Sequence, residues 1–222
     1  MNCRGKRIVG KGEYHCICLY LSPNMPILTA IRKHVISMLT DGLSASLFYH
    51  DVNHTLDVTK QCLVIAKAQN IIDEQLLLEL EIASLYHDTG FLCVYENHEE
   101  KGCAFAREQL PGFGIGPKSI ENICGLIMAT KVPQMPTNDL EQIICDADLD
   151  YLGREDFFET GDRLRRELIA YKLIKDDQDW EERQLSFLKT HQYFTKTCRE
   201  KRSREKLKFI RQLELSNNPT AK

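Results

Sequence analysis

DEQLLLELEIASLYHDTG, residues 73–90, is the stretch on which the fold turns. It opens with two acids, as the positive end of a helix dipole favours. It then runs apolar on nearly every side, the pattern of a helix buried all round rather than one lying on a surface. Its end carries His87 and Asp88 together, followed by Gly90. Burying an imidazole beside a carboxylate is costly unless both are satisfied. A divalent metal would satisfy both, and one nitrogen plus one oxygen is half of such a site. The remaining ligands must then come from elsewhere in the chain.

Outward from this segment the chain reads as helices joined by short polar turns. Residues 27–39 (ILTAIRKHVISML) place Ile27, Ile31, Val35 and Met38 in a helical stripe, and residues 55–69 repeat it with Val58, Cys62, Ile65 and Ala66. Residues 98–110 are amphipathic and stop at Pro111-Gly112. Residues 119–130 suggest a helix entered through a Ser119 capping box, and residues 139–153 a helix ending at Gly153. Three further helical segments follow, in 154–174, 179–194 and 199–213. Residues 14–21 carry a weak strand signal, and the tail 216–222 (SNNPTAK) reads as flexible. The expected fold class is all-α.

Composition narrows the function classes. The 222 residues are 43% hydrophobic and 27% charged, with a net charge of −3, so nothing draws the whole chain toward nucleic acid or an anionic membrane. No apolar run is long enough to span a bilayer, and the first 24 residues lack a secretory cleavage pattern. The nine cysteines are odd in number and form no C-x-x-C pair, which fits reduced thiols in a cytoplasmic protein. The basic segment 199–211 has an apolar side through Leu207, Phe209 and Ile210. It is therefore expected to pack on the domain, not to bind RNA.

Two further segments hold ligand-type residues. In YHDVNHTLDV, residues 49–58, His54 and Asp57 share a helix face. In DADLDYLGR, residues 146–154, three acids stand in a core-like context, where they repel one another unless a cation or hydrogen-bond donors offset them. At ~100° per residue Asp146 and Asp150 lie on one face and Asp148 roughly opposite. If Asp148 is a ligand, the other two must find a cap, solvent or a basic partner.

The order His54, His87-Asp88, Asp148 resembles the H…HD…D signature of HD-domain metal-dependent phosphohydrolases, over about residues 27–155. YHDVNHTLDV is similar to the Y-H-N-x-x-H-x-x-x-V segment of cyclic-nucleotide phosphodiesterases. HDTGF, NHEE and DADLDYLGR resemble bacterial stand-alone and cyclase-associated HD proteins.

The resemblance implies an HD-type helical domain over 25–175, after an extension of residues 1–24 and before C-terminal helices at 176–215. It makes His54, His87, Asp88 and Asp148 the metal ligands and His50 the proton donor to a leaving oxygen, with Asp51 standing where Asn is usual. His98 falls where binuclear members place a further histidine and is a second candidate for catalysis. The later His-His pair of those members is replaced by Ala129-Thr130-Lys131, which implies one tight metal and at most a loose second, such as Mg²⁺. Two imidazoles and two carboxylates suit Mn²⁺, Fe²⁺, Co²⁺, Ni²⁺ or Zn²⁺.

Lys131 and Arg154 are candidates to neutralise phosphate, with Asp57, Asp146 and Glu99 in support. The expected activity is hydrolysis of a phosphate ester, of a nucleotide and phosphodiesterase-like, extending to cyclic nucleotides. A nucleoside-monophosphate phosphomonoesterase and a non-catalytic, metal-holding nucleotide sensor are the alternatives. The expected partner is the phosphate-ester substrate, without membrane or nucleic acid; self-association into a homo-oligomer stays open.

Overall fold

Asp73 caps the helix read in residues 73–90: its side chain accepts from Leu76 N at 2.9 Å. The helix runs Glu74–Tyr86, and every residue from Leu78 to Tyr86 is buried. The computed structural model describes residues 25–217. Within them lie nine α-helices: α1 Met25–Gly42, α2 Val52–Ala68, α3 Glu74–Tyr86, α4 His98–Gln109, α5 Pro117–Ala129, α6 Asp139–Asp148, α7 Phe157–Ala170, α8 Asp177–Thr190 and α9 Lys196–Asn217. Short 3-10 turns occupy Thr89–Leu92, Leu110–Phe113 and Asp150–Gly153, and there is no strand among the described residues. The fold is all-α. The weak strand signal at 14–21 and the 1–24 extension lie outside the described residues.

Helix α3 is the central element because α1, α2 and α5 pack around it. Leu80, Ile82 and Leu85 are fully inaccessible, and each contributes roughly 1.5–3 kcal/mol by burial. Its buried acids are all engaged. Glu81 accepts from Arg32, and Glu79 accepts from Gln75 and Asn122, each at 3.0 Å. Such pairing is what lets an acid remain inside a core.

Side-chain caps mark three other helix starts. Asp51 caps α2, Asn138 caps α6 and Asp176 caps α8, each accepting a backbone N–H three residues on. The expected Ser119 cap is corrected. Helix α5 starts earlier, with Pro117 in its first turn, where a missing N–H costs nothing. Ser119 sits inside the helix and its hydroxyl accepts from Gln75 at 3.0 Å.

The C-terminal helices share the core of the others, through Leu188, Tyr193, Cys198 and Leu213. Phe209 of α9 stacks on Phe157 of α7, with centroids 4.7 Å apart. A Cβ on Gly153 would stand 2.5 Å from the Arg202 carbonyl oxygen, so only glycine allows α9 this close. Two of the basic residues of 199–211 turn inward: Arg202 pairs with Asp150, and Lys206 is buried against His191. Of the segment 216–222 read as flexible, Ser216 and Asn217 belong to α9, where Ser216 Oγ donates to Leu213 O at 2.9 Å, and residues 218–222 lie outside the described residues. No described helix is long and apolar enough to cross a membrane. Of the described cysteines, Cys62, Cys103, Cys124, Cys145 and Cys198 are buried and Cys93 is exposed, and all are free thiols.

Candidate metal centre

Three helix ends deliver the four ligand candidates to one place. Asp51 caps α2 by accepting from His54 N at 2.9 Å, which fixes His54 in the first turn. His87 terminates α3, and Asp88 follows at the entry to the 3-10 turn Thr89–Leu92. Asp148 is the last residue of α6, which packs on α2.

The donor atoms converge. His54 Nε2 lies 3.3 Å from Asp88 Oδ2, 3.2 Å from Asp148 Oδ1 and 3.4 Å from His87 Nε2. His87 Nε2 lies 3.1 Å from Asp88 Oδ2 and 3.6 Å from Asp148 Oδ1. His87 Nδ1 donates to Ser84 O at 2.8 Å, which in the neutral ring leaves a lone pair on Nε2 facing the cluster. Asp88 Oδ2 is buried and meets no neighbour with hydrogen-bond geometry, despite its closeness to both rings.

This set fits a divalent cation. For bonds of ~2.1 Å, adjacent donors stand ~3.0 Å apart in an octahedron and ~3.4 Å in a tetrahedron, which is the spacing found. His54, His87 and Asp148 by themselves form a metal-competent triad with donors within 4.8 Å of one another.

The protein groups also balance one another electrostatically. Burial opposes charge on His54, but the neighbouring carboxylates of Asp148 and Asp88 outweigh it and lift the imidazole to about 9. His87 is raised against burial by Asp88 and Asp148. Burial disfavours the Asp88 carboxylate, yet the His87 charge holds it well below the usual range, and the two imidazoles bring Asp148 to about 2.

His50 and His98 flank this centre. The His50 ring centroid is 5.8 Å from that of His54, and its Nδ1 is hydrogen-bonded to Glu167. Glu167 also accepts from Tyr49 N (2.9 Å), His50 N (3.1 Å) and the Tyr95 hydroxyl (2.8 Å). Its side chain is wholly buried, which by itself would raise its carboxyl. The His50 contact and the two backbone donors lower it overall. Sequence reasoning missed Glu167: in RRELIAY an acid reads as part of a solvated helix face, and only the packing of α7 turns it inward. Phe91 stacks against both His50 (4.2 Å) and His98 (3.9 Å).

His98 donates from Nδ1 to Tyr95 O at 3.1 Å and turns Nε2 to within 3.5 Å of Asp88 Oδ1. Its approach depends on Gly90, where a Cβ would lie 1.9 Å from the His98 carbonyl oxygen. Glu99 is buried beside it, with Oε1 3.5 Å from His98 Nε2.

The other acids are accounted for. Asp146 faces α9, accepting from Phe194 N and Thr195 N at 2.8 Å each and from the Thr195 hydroxyl at 2.7 Å. Asp150 takes a bidentate Arg202 at 2.7 and 2.8 Å. The split of Asp148 from its two neighbours follows the helical rotation that separates them. Asp57 pairs with Arg154 at 2.6 Å, and Arg154 also holds Asp156 at 2.7 Å. Lys131 bonds Glu100 and Asn97 at the rim.

The centre opens on two cavities. A cleft of about 990 Å³ is lined by His50, Asp88, His98 and Asp148, and extends past Tyr95 and Lys131 to α7 and α8. A smaller space of about 220 Å³ on the other side of Asp148 is lined by His54, Asp57, Arg154 and Arg163.

Known structures share this architecture. Bacillus subtilis YpgQ in complex with ADP superposes with a TM-score of 0.61 at 23% identity, over 87% of this chain and 96% of that one. YpgQ in a further crystal structure gives 0.59 at 20% identity, over 89% and 98%. A predicted HD superfamily hydrolase from an uncultured Thermotogales bacterium gives 0.52 at 20% identity, over 84% and 91%. The chain has the HD-domain fold. Neither a protein-family model nor a curated relative matches the sequence. Within this fold, His54, His87, Asp88 and Asp148 come together from the positions that the H…HD…D order names.

Proposed function

We propose that the protein is a divalent-metal-dependent phosphohydrolase acting on a nucleotide, in the manner of a phosphodiesterase. The carrying observation is the quartet His54, His87, Asp88 and Asp148: the two Nε2 atoms lie 3.4 Å from each other and 3.1 to 3.6 Å from the Asp88 and Asp148 oxygens, and Asp88 Oδ2 is unmatched. These four residues would hold the ion, drawn from Mn²⁺, Fe²⁺, Co²⁺, Ni²⁺ or Zn²⁺. When bound, such an ion lowers the pKa of a coordinated water toward ~7 and polarises a phosphoryl oxygen.

The chain's own groups supply the rest. Glu167 accepts from His50 Nδ1 and orients the ring, so that in its protonated form the far nitrogen, Nε2–H, would donate to the leaving oxygen in the cleft. Donation of this kind is worth roughly 10²–10⁴-fold. His98, held by Tyr95 O and Phe91, orients the second oxygen of Asp88. Lys131 stands at the cleft rim, where it can exchange Glu100 for phosphate. Arg154 stands in the smaller cavity and would act there on any phosphate oxygen reaching past Asp148. The ADP in the YpgQ structure supports a nucleotide as the ligand class.

The test is metal analysis of the purified protein, followed by turnover of nucleoside monophosphates, cyclic nucleotides and simple phosphodiesters with added Mn²⁺. Wild type is expected to hold one ion per chain and to turn over; Asp88→Asn loses both. A metal-loaded protein that cleaves none of the esters would instead be a nucleotide-sensing module.

A further inference from the structure

The far end of the large cleft differs in chemistry from the end at the metal centre. Its wall is built by Leu164 and Leu168 of α7 and by Trp180, Gln184 and Phe187 of α8, with Leu173 from the connection between them. The spacings 164/168 and 180/184/187 put each set on one helix face. These side chains are all partly exposed on the cleft. Of the charges on this part of the cleft, Asp179 and Arg183 pair with each other at 3.2 Å, and Glu182 accepts from Gln178 at 3.0 Å.

The Gln184 side chain lines the cleft, and its carboxamide makes no hydrogen bond among the described residues. Gly161 lets it sit there, because a Cβ at that position would stand 2.7 Å from Gln184 Nε2. A glycine inside a helix is destabilising, and its return here is room for α8 against α7.

We propose that this α7–α8 wall is the specificity subsite for the organic part of the substrate. It takes a flat, neutral ring of nucleobase type, with Trp180 and Phe187 as the aromatic faces and Gln184 reading the ring's polar edge. A 990 Å³ cleft is at the upper end of the range for small-ligand sites. It has room for a phosphate at Asp88 and Asp148 and a base at α8 together. An apolar wall with self-paired charges excludes a second phosphate from that end. This rests on the phosphohydrolase reading for the placement of the phosphate, but not for the ring.

Trp180 is the sole tryptophan of the chain, so its fluorescence reports the wall directly. Metal-loaded full-length protein is titrated with adenosine monophosphate and with ribose 5-phosphate, which share the phosphate and differ in the base. The expected result is a change in Trp180 emission with the first alone, and binding of the first at least tenfold tighter. Phe187→Ala and Gln184→Ala should each cut that ratio at least threefold and leave ribose 5-phosphate affinity unchanged. Equal affinities, no binding by either probe, or a ratio untouched by both substitutions overturns the proposal. Turnover of simple phosphodiesters, assayed in parallel, tells whether the hydrolase reading stands independently of the ring subsite.

Discussion

Replacing Glu167 with Gln perturbs the site at its most buried polar joint. The side chain receives four donors: the N–H groups of Tyr49 and His50, the His50 ring and the Tyr95 hydroxyl. Gln has one acceptor oxygen where Glu has two, so its carbonyl can serve the backbone pair or the ring and hydroxyl pair, not both. Its NH₂ then faces donors. Two buried donors left unmet cost about 1–3 kcal/mol each, so the variant should lose roughly 2–6 kcal/mol, read as a lower midpoint in urea at unchanged slope.

The same change releases the His50 tautomer, and kcat should fall by about 10²–10⁴ with KM little altered, because the ring acts on the leaving group rather than on binding. The acid side has a definite sign. The folded carboxyl is lowered, so its stabilisation is complete above the unfolded value of ~4.3 and fades as pH falls through the folded one. The gap between wild type and Glu167→Gln should therefore narrow below about pH 4. Tyr95→Phe, which removes one donor and leaves both acceptors for the rest, should cost far less. A Glu167→Gln protein with wild-type midpoint and wild-type kcat would refute the role assigned to this residue.

Three further outcomes follow from the same structure. Metal binding should release protons at neutral pH, since His54 lies near 9 and must be neutral to ligate; calorimetry in buffers of different ionisation enthalpy reads this, and affinity should climb with pH up to about 9. His191 is held neutral, by burial first and then by Lys206, down to about 3. Its contribution is whole above ~6.5 and is lost as pH falls toward 3, approaching ~1.4 kcal/mol per pH unit; His191→Gln should flatten the decline between pH 6.5 and 4.5, and parallel curves would count against it. Gly90→Ala forces the Thr89–Leu92 turn away from His98, so it should cost about 1–3 kcal/mol or more. It should also lower turnover more than metal content, as paired activity and metal assays would record.

Much of the scaffold was readable without coordinates. The all-round apolar pattern of 73–90, the stripe at 27–39 and the stop at Pro111 are local patterns, and α3, α1 and α4 fall where they predict. The order His54, His87-Asp88, Asp148 stands out in the sequence because each of these residues sits at a helix end with a cap or a break beside it. The Ser119 cap failed because the Gly116-Pro117 start competes for the same helix entry. Asp146 and Asp150 could be separated from Asp148 by rotation, but their actual partners, Thr195 and Arg202, lie 49 and 52 residues away.

By itself, then, the sequence determined the helices and which polar residues would need compensation inside them, because periodicity, capping and burial cost act within a few residues. Only the tertiary structure decided what compensates them. Glu167 reaches His50 across 117 residues, and α8 supplies the aromatic wall of a cleft whose other end is lined by His50, Asp88, His98 and Asp148. Such pairings arise from how helices pack, and side chains distant in sequence carry no local sign of meeting.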